Sequence, residues 1–114
     1  MKKLYIVTGA GGHLGGTIIR QLQKEPVQVR GLLYGKEKRE DMGNVHYYRG
    51  DVRKVDSLRP LFLGCGDMET YVIHTAGIID ISSHVSLGVY DVNVGGTKNI
   101  LSLCREYPVK RLVY

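Results

Sequence analysis

Between residues 7 and 15 the chain reads Val7-Thr8-Gly9-Ala10-Gly11-Gly12-His13-Leu14-Gly15, with Gly9, Gly12 and Gly15 spaced three apart. Before this stretch stands Leu4-Tyr5-Ile6-Val7, a β-branched and aromatic run of the kind a buried parallel strand uses. After it, Leu14, Ile18, Ile19 and Leu22 recur at helical spacing up to about Lys24, and Pro26 closes the segment. A turn without side chains lets backbone approach a pyrophosphate, whose charge the free N–H groups at a helix start then stabilise. The last glycine allows helix and strand to pack closely. At the head of a strand-helix-strand unit the pattern points to dinucleotide binding. No Lys-Ser or Lys-Thr follows the glycines, which disfavours nucleoside triphosphate hydrolysis.

The alternation continues along the chain. Residues 27–33 predict a second strand, a charged loop spans Gly35 to Asn44, and Val45-His46-Tyr47-Tyr48 predicts a third strand, ended by Asp51. A helix over about residues 55–63 stops at Gly64-Cys65-Gly66, and Thr70-Tyr71-Val72-Ile73-His74 predicts a fourth strand. A longer helix from about Ser86 to Tyr107 is ended by Pro108, and Lys110 to Tyr114 predicts a fifth strand. Such alternation implies right-handed crossovers and an α/β fold, a doubly wound parallel sheet covered on both faces. Ligands bind such sheets beyond the carboxyl ends of the strands, here after the first and fourth.

With 114 residues the chain forms one domain, residues 1–114. The net charge of +5 could suggest nucleic acid, but the basic residues are scattered among acids, as in Lys36-Glu37-Lys38-Arg39-Glu40-Asp41, so a solvated surface is expected. No apolar stretch approaches the ~18 residues of a membrane span, and Leu4 to Val7 is too short for a secretory signal. The expectation is a cytoplasmic protein that engages no membrane and no nucleic acid. Cys65 and Cys104 lie far apart without metal-ligand spacing, so buried free thiols and no metal site are expected.

The spacing Gly-x-x-Gly-x-x-Gly resembles the short-chain dehydrogenase/reductase superfamily, in its extended, epimerase/dehydratase-like branch. Three further segments share the resemblance. Gly50-Asp51-Val52 is similar to the Asp-hydrophobic pair that meets adenine; His74-Thr75-Ala76-Gly77 is similar to the stretch along the cofactor's ribose. Asp91-Val92-Asn93-Val94-Gly95-Gly96-Thr97-Lys98-Asn99 resembles the helix motif Asn-Val-x-Gly-Thr-x-Asn. Within the branch, residues 72–80 look most like the 3β-hydroxysteroid dehydrogenase and dihydroflavonol reductase group, and more loosely like nucleotide-sugar epimerases. The resemblance implies a Rossmann-like sheet of order 3-2-1-4-5 and an NAD(P) site at Gly9, Gly11, Gly12, His13, Leu14, Gly15, Asp51, Val52, Thr75, Ala76 and Gly77. It also implies that Asn93 supports catalysis by positioning a lysine through water.

Several of these residues admit a plainer reading. Asp51 could cap the next helix. His74 could be a satisfied core histidine or touch ligand, and His13 could flank phosphate or face solvent. Gly95-Gly96 inside a helix costs roughly 1 kcal/mol per residue relative to Ala, so close packing or a kink should compensate. An NAD-preferring site places a carboxylate at the end of the second strand, where Leu33, Tyr34 and Gly35 stand instead. Lys36, Lys38 and Arg39 follow, either as solvated loop charges or as partners of a 2′-phosphate, which leans the cofactor choice between NAD and NADP toward NADP.

The superfamily's Tyr-x-x-x-Lys pair and its Ser or Thr follow the fifth strand, and the tyrosine acts as acid or base because its pKa is lowered. Here the Tyr34–Lys38 and Tyr107–Arg111 spacings are the only approximations, and neither is placed to reach a nicotinamide. The chain therefore reads as the amino-terminal cofactor part of an oxidoreductase or epimerase for a small hydroxyl or keto substrate, truncated before the catalytic segment and not expected to turn over alone. The alternative is a non-catalytic NAD(P)-binding sensor or interaction module. An uncovered fifth strand and an apolar patch around Val89, Val92, Ile100, Leu103, Leu112 and Val113 imply self-association.

Overall fold

The computed structural model describes residues 1–76 and 91–113. Five parallel strands, β1 (Lys3–Thr8), β2 (Gln28–Leu33), β3 (Val45–Arg49), β4 (Glu69–His74) and β5 (Val109–Val113), form one sheet in the order β3-β2-β1-β4-β5. The doubly wound, Rossmann-like architecture expected above is thus present. Helix α1 (His13–Leu22) follows β1, the short α2 (Val55–Leu58) follows β3, and α3 (Gly96–Glu106) precedes β5.

Strand pleating sorts the core onto two faces. Leu4, Ile6, Leu32 and Val72 meet Leu58, Leu61, Phe62, Ile100 and Leu103 on one side, all buried. Val7, Val29 and Leu33 meet Ile19 of α1 on the other, with Val27 and Val45. Each such side chain stabilises the fold by about 1.5–3 kcal/mol relative to exposure. The segment between β2 and β3 holds no helix, so the α1 face of β3 opens into a groove of about 790 Å³ lined by Arg20, Lys38, Arg39, Arg49 and Tyr47 among others.

The structure differs from the sequence reading in four places. The helix expected over 55–63 is α-helical only at Val55–Leu58 and tightens to a 3₁₀ turn over Arg59–Phe62. Pro60 has no N–H for the Asp56 carbonyl and its ring crowds that carbonyl. The long helix begins, within the described residues, as a π-helical turn at Asp91–Gly95 before becoming α3; the part expected over 86–90 lies outside them. Strand β5 starts at Val109, and its pairing with β4 skips Lys110 in passing from Thr70↔Val109 to Tyr71↔Arg111. Tyr114 lies outside the described residues. Finally, Ile100 and Leu103, expected in an exposed patch, are buried against the sheet, while Val113 is 54% exposed. Their face of α3 packs onto Val72, Leu58 and Leu61. Val89 lies outside the described residues.

Cys65 is buried and Cys104 half-buried, both as free thiols. Burial raises the pKa of each, that of Cys104 to about 11, so both are protonated at neutral pH. Among the described residues, no helix is long and apolar enough to cross a membrane.

Candidate functional site

The glycine turn leaves the end of β1 through Gly9, whose φ of +68° a side chain rarely adopts. A Cβ there would lie 2.5 Å from Thr75 Oγ1 and 2.9 Å from Ala76 N, so Gly9 lets the turn press against the end of β4. Gly15 is equally constrained, since a Cβ would fall 2.1 Å from the Gly9 carbonyl oxygen. Gly12 differs. A Cβ on it would meet only that oxygen, at 3.3 Å, and its backbone is extended, with φ −83° and ψ 174°. It is the N-cap of α1 and no side chain caps the helix. The first helical bond is Gly16 N–H to the Gly12 carbonyl, so the amides of His13, Leu14 and Gly15 precede the ladder. His13 and Leu14 are exposed, Leu14 to 61%.

Beside the turn, Thr8 Oγ1 accepts from the Thr75 and Ala76 amides at 3.0 and 3.1 Å. Both its lone pairs are then used, and its proton goes to His74 Nδ1 at 2.6 Å. Thr97 Oγ1 donates to the Asn93 carbonyl at 2.7 Å and so accepts from His74 Nε2–H at 3.1 Å. Both ends assign the same neutral tautomer. Burial lowers the His74 pKa, in keeping with a neutral ring. His74, 8% exposed, is a satisfied core histidine that ties β1, β4 and the start of α3 together.

The second and fourth motifs meet at Val52. Asn99 Nδ2 donates to its carbonyl at 2.8 Å, and a Cβ on Gly96 would lie 2.6 Å from its Cγ2. Gly96 thus gains close packing, and the winding changes from π to α at Gly95–Gly96. Asp51 does not cap α2, whose N-cap is Lys54. Its carboxylate accepts from the Arg53 amide at 2.9 Å and from the Arg53 guanidinium at 2.8 Å, which holds its pKa below the ordinary value. Arg53 also reaches the Tyr34 hydroxyl at 3.1 Å and lies over that ring.

Past β2 the chain turns back on itself. Glu37 N–H donates to the Tyr34 carbonyl at 3.1 Å, and Tyr34 N–H donates to Glu37 Oε1 at 2.7 Å. The Glu37 carboxylate comes to rest on the glycine turn, with both oxygens 2.6–2.7 Å from where a Gly11 Cβ would stand. The expectation that no carboxylate stands at the end of the second strand is therefore corrected: the turn carries one back. Arg39 Nη2 donates to the Gly11 carbonyl at 3.2 Å and its Nη1 to the Lys38 carbonyl at 2.6 Å, while Lys36 is exposed.

With this geometry in view, the model of the 3-beta hydroxysteroid dehydrogenase/isomerase family matches residues 6–114. The chain belongs to that family. The human 3 beta-hydroxysteroid dehydrogenase type 7 is 32% identical over 122 residues, covering 99% of this chain and 32% of its own length. The UDP-glucose 4-epimerase of Thermus thermophilus, solved in complex with NAD, superposes with a TM-score of 0.79 at 29% identity, covering 97% of this chain and 36% of that one. The Bordetella bronchiseptica enzyme WbmH, in complex with NAD+, gives 0.79 at 25% identity, with 100% and 38% covered. The chain spans about a third of the length of the relatives it matches.

In this member of the 3-beta hydroxysteroid dehydrogenase/isomerase family, the structure brings Gly9, Gly11, Gly12, His13, Leu14, Gly15, Thr75 and Ala76 together at the ends of β1 and β4. Asp51 and Val52 follow β3 and join the same edge through Arg53 and Asn99. Asn93 sits in the π-helical turn, and Gly77 lies outside the described residues. Sequence reasoning missed Glu37, Arg53 and Tyr34. For Glu37 a signal existed, an acidic residue about 20 residues past the glycine turn.

Proposed function

We propose that this chain is the dinucleotide-binding part of an NAD(P)-dependent oxidoreductase or epimerase acting on a hydroxyl or keto group of a small substrate. The observation that carries the reading is the start of α1, where the amides of His13, Leu14 and Gly15 precede the helical ladder and no side chain caps the helix. A pyrophosphate there would accept from those amides, and the positive helix end favours its charge. At the same edge Leu14 and Tyr34 are 61% and 53% exposed, apolar surface that a bound nucleoside would cover. The likeness to an NAD-complexed epimerase at 29% identity supports the same ligand class.

When bound, a nicotinamide dinucleotide supplies or takes up hydride. The residues here would hold and orient it: the α1 amides at the pyrophosphate, Thr75 and Ala76 along the ribose, Asp51 and Val52 at the adenine edge. Because Arg53 already occupies the Asp51 carboxylate, adenine would share that carboxylate with the guanidinium. Titration of the chain with NAD by calorimetry tests the reading, with saturable binding at millimolar concentration or below expected. We also propose self-association through β5.

A further inference from the structure

We propose that the basic groove between α1 and β3 is a docking site for an acidic amphipathic helix of a partner protein. The groove lies where the fold omits an element of its own. A right-handed crossover from β2 to β3 passes over the face of the sheet that α1 covers, and such a crossover is ordinarily a helix. Residues 34–44 form the crossover here and contain no helix, so none lies beside α1 over β3. The groove runs along α1 from Gly16 to Gln23 and along β3 from Val45 to Arg49. At about 1.5 Å per helical residue and about 3.3 Å per strand residue, that is roughly 10–13 Å, the length of two helical turns.

Two chemistries line it. Ile19 and Val45 are buried, Tyr47 is half-buried and Met42 is 60% exposed, which supplies apolar surface. With them stand Arg20, Lys38, Arg39 and Arg49, all exposed, against the single carboxylate of Glu40. The guanidiniums are anchored on neutral groups. Arg20 donates to the Thr17 hydroxyl at 3.1 Å, Arg39 to the Gly11 and Lys38 carbonyls, and Arg49 to those of Gly35 and Glu37. None of the four cations forms an ion pair among the described residues, which leaves an excess of positive charge at the groove.

These features select the occupant. A docking strand would need the outer edge of β3, and that edge is taken: Val45 exchanges hydrogen bonds of 2.9 and 3.0 Å with Met42, and Tyr47 N–H donates to Asp41 at 2.8 Å. A nucleic-acid strand needs aromatic platforms for successive bases, and Tyr47 is the one aromatic residue in the lining. The helices of a second copy carry the wrong charge, because α1 has no acidic residue and α3 only Glu106. A partner helix with apolar residues at i, i+3, i+4 and i+7 and glutamates on its flanks satisfies both chemistries. Its apolar row meets Met42 and Tyr47 while its carboxylates pair with the guanidiniums.

Calorimetry of the 114-residue chain with a capped synthetic peptide of about 18 residues, long enough to hold a helix, tests the assignment. The peptide carries leucines at that spacing, flanked by glutamates; one control replaces each glutamate with glutamine and another scrambles the order. The acidic peptide should bind saturably at about 0.1 mM or below, and both controls at least about tenfold more weakly. Arg20→Glu with Lys38→Glu should weaken binding at least about tenfold. Met42→Ser, which leaves every charge in place, should weaken it about threefold and keeps the test open if charge reversal disturbs the fold, as a denaturant melt would report. Amide resonances shifted by the peptide should cluster along Gly16–Gln23 and β3. No binding by about 1 mM, a control that binds as well as the acidic peptide, or shifts and affinities indifferent to the groove would overturn the proposal. So would tighter binding of a single-stranded oligonucleotide of about 12 nucleotides that the charge reversal abolishes, since the groove would then be a nucleic-acid track.

Discussion

Both nitrogens of the His74 ring are committed, so a second proton can enter only by breaking the bond from Thr8. Burial places the folded-state pKa below 6.5. Between that lowered value and 6.5 the unfolded chain carries a proton that the folded chain refuses. Stability therefore rises with pH through this window, is fully present above 6.5, and is lost as pH falls. Asp41 and Asp51, held low by the Tyr47 amide and by Arg53, act in a separate range: their contribution is present above about pH 4 and lost below it. Urea midpoints measured from about pH 7.5 to about pH 5 should fall. His74→Gln should flatten that slope and cost about 1–2 kcal/mol at the upper end through the lost buried hydrogen bonds. Identical slopes in the two proteins would contradict the assigned tautomer network.

Among the elements, α3 begins at two neighbouring glycines with opposite expected responses. Gly95 has helical dihedrals, φ −63° and ψ −42°, and open space where a Cβ would go, so Gly95→Ala should stabilise by about 0.5–1 kcal/mol. Gly96→Ala would drive a Cβ into Val52, a stiff β-branched side chain whose carbonyl Asn99 holds, and should cost about 1–3 kcal/mol. Denaturant melts of the two variants check this; a shared sign would contradict the packing described. The strands and α1 were legible because β-branched runs and helical spacing report burial directly, as in Leu4-Tyr5-Ile6-Val7 and Leu14, Ile18, Ile19, Leu22. The 3₁₀ turn after Leu58 was legible in principle from Pro60, whereas the π-helical turn at Asp91–Gly95 was not, since apolar spacing does not separate π from α winding over so few residues. Glu37 escaped notice for another reason. Its place depends on a reversal after β2 that brings a loop residue back to the turn, a tertiary effect without periodicity.

For the whole molecule, the sheet order leaves β5 at an edge, with one side of its backbone unpaired among the described residues. Leu112 is half-buried and Val113 54% exposed, while the ion pair of Lys110 with Glu69 blunts only the start of the strand. With Ile100 and Leu103 buried, the proposed self-association would use this edge rather than α3. Sedimentation at micromolar concentration should show concentration-dependent association, reduced by Val113→Lys; a monomer at all concentrations would contradict it. Whether the glycine turn holds a dinucleotide, on which the functional reading stands, is decided by Gly12→Val. The extended backbone at Gly12 accepts a valine, whose Cβ would press the Gly9 carbonyl oxygen at 3.3 Å, so the variant should fold with a loss of about 1 kcal/mol, read from its denaturant melt. The added methyl groups would occupy the place of the pyrophosphate. In calorimetry the unmodified chain should bind NAD and the adenosine diphosphate fragment with similar affinity, and folded Gly12→Val should bind neither. Unchanged binding by Gly12→Val, or no binding of either ligand to the unmodified chain at millimolar concentration, would contradict a dinucleotide site at this turn.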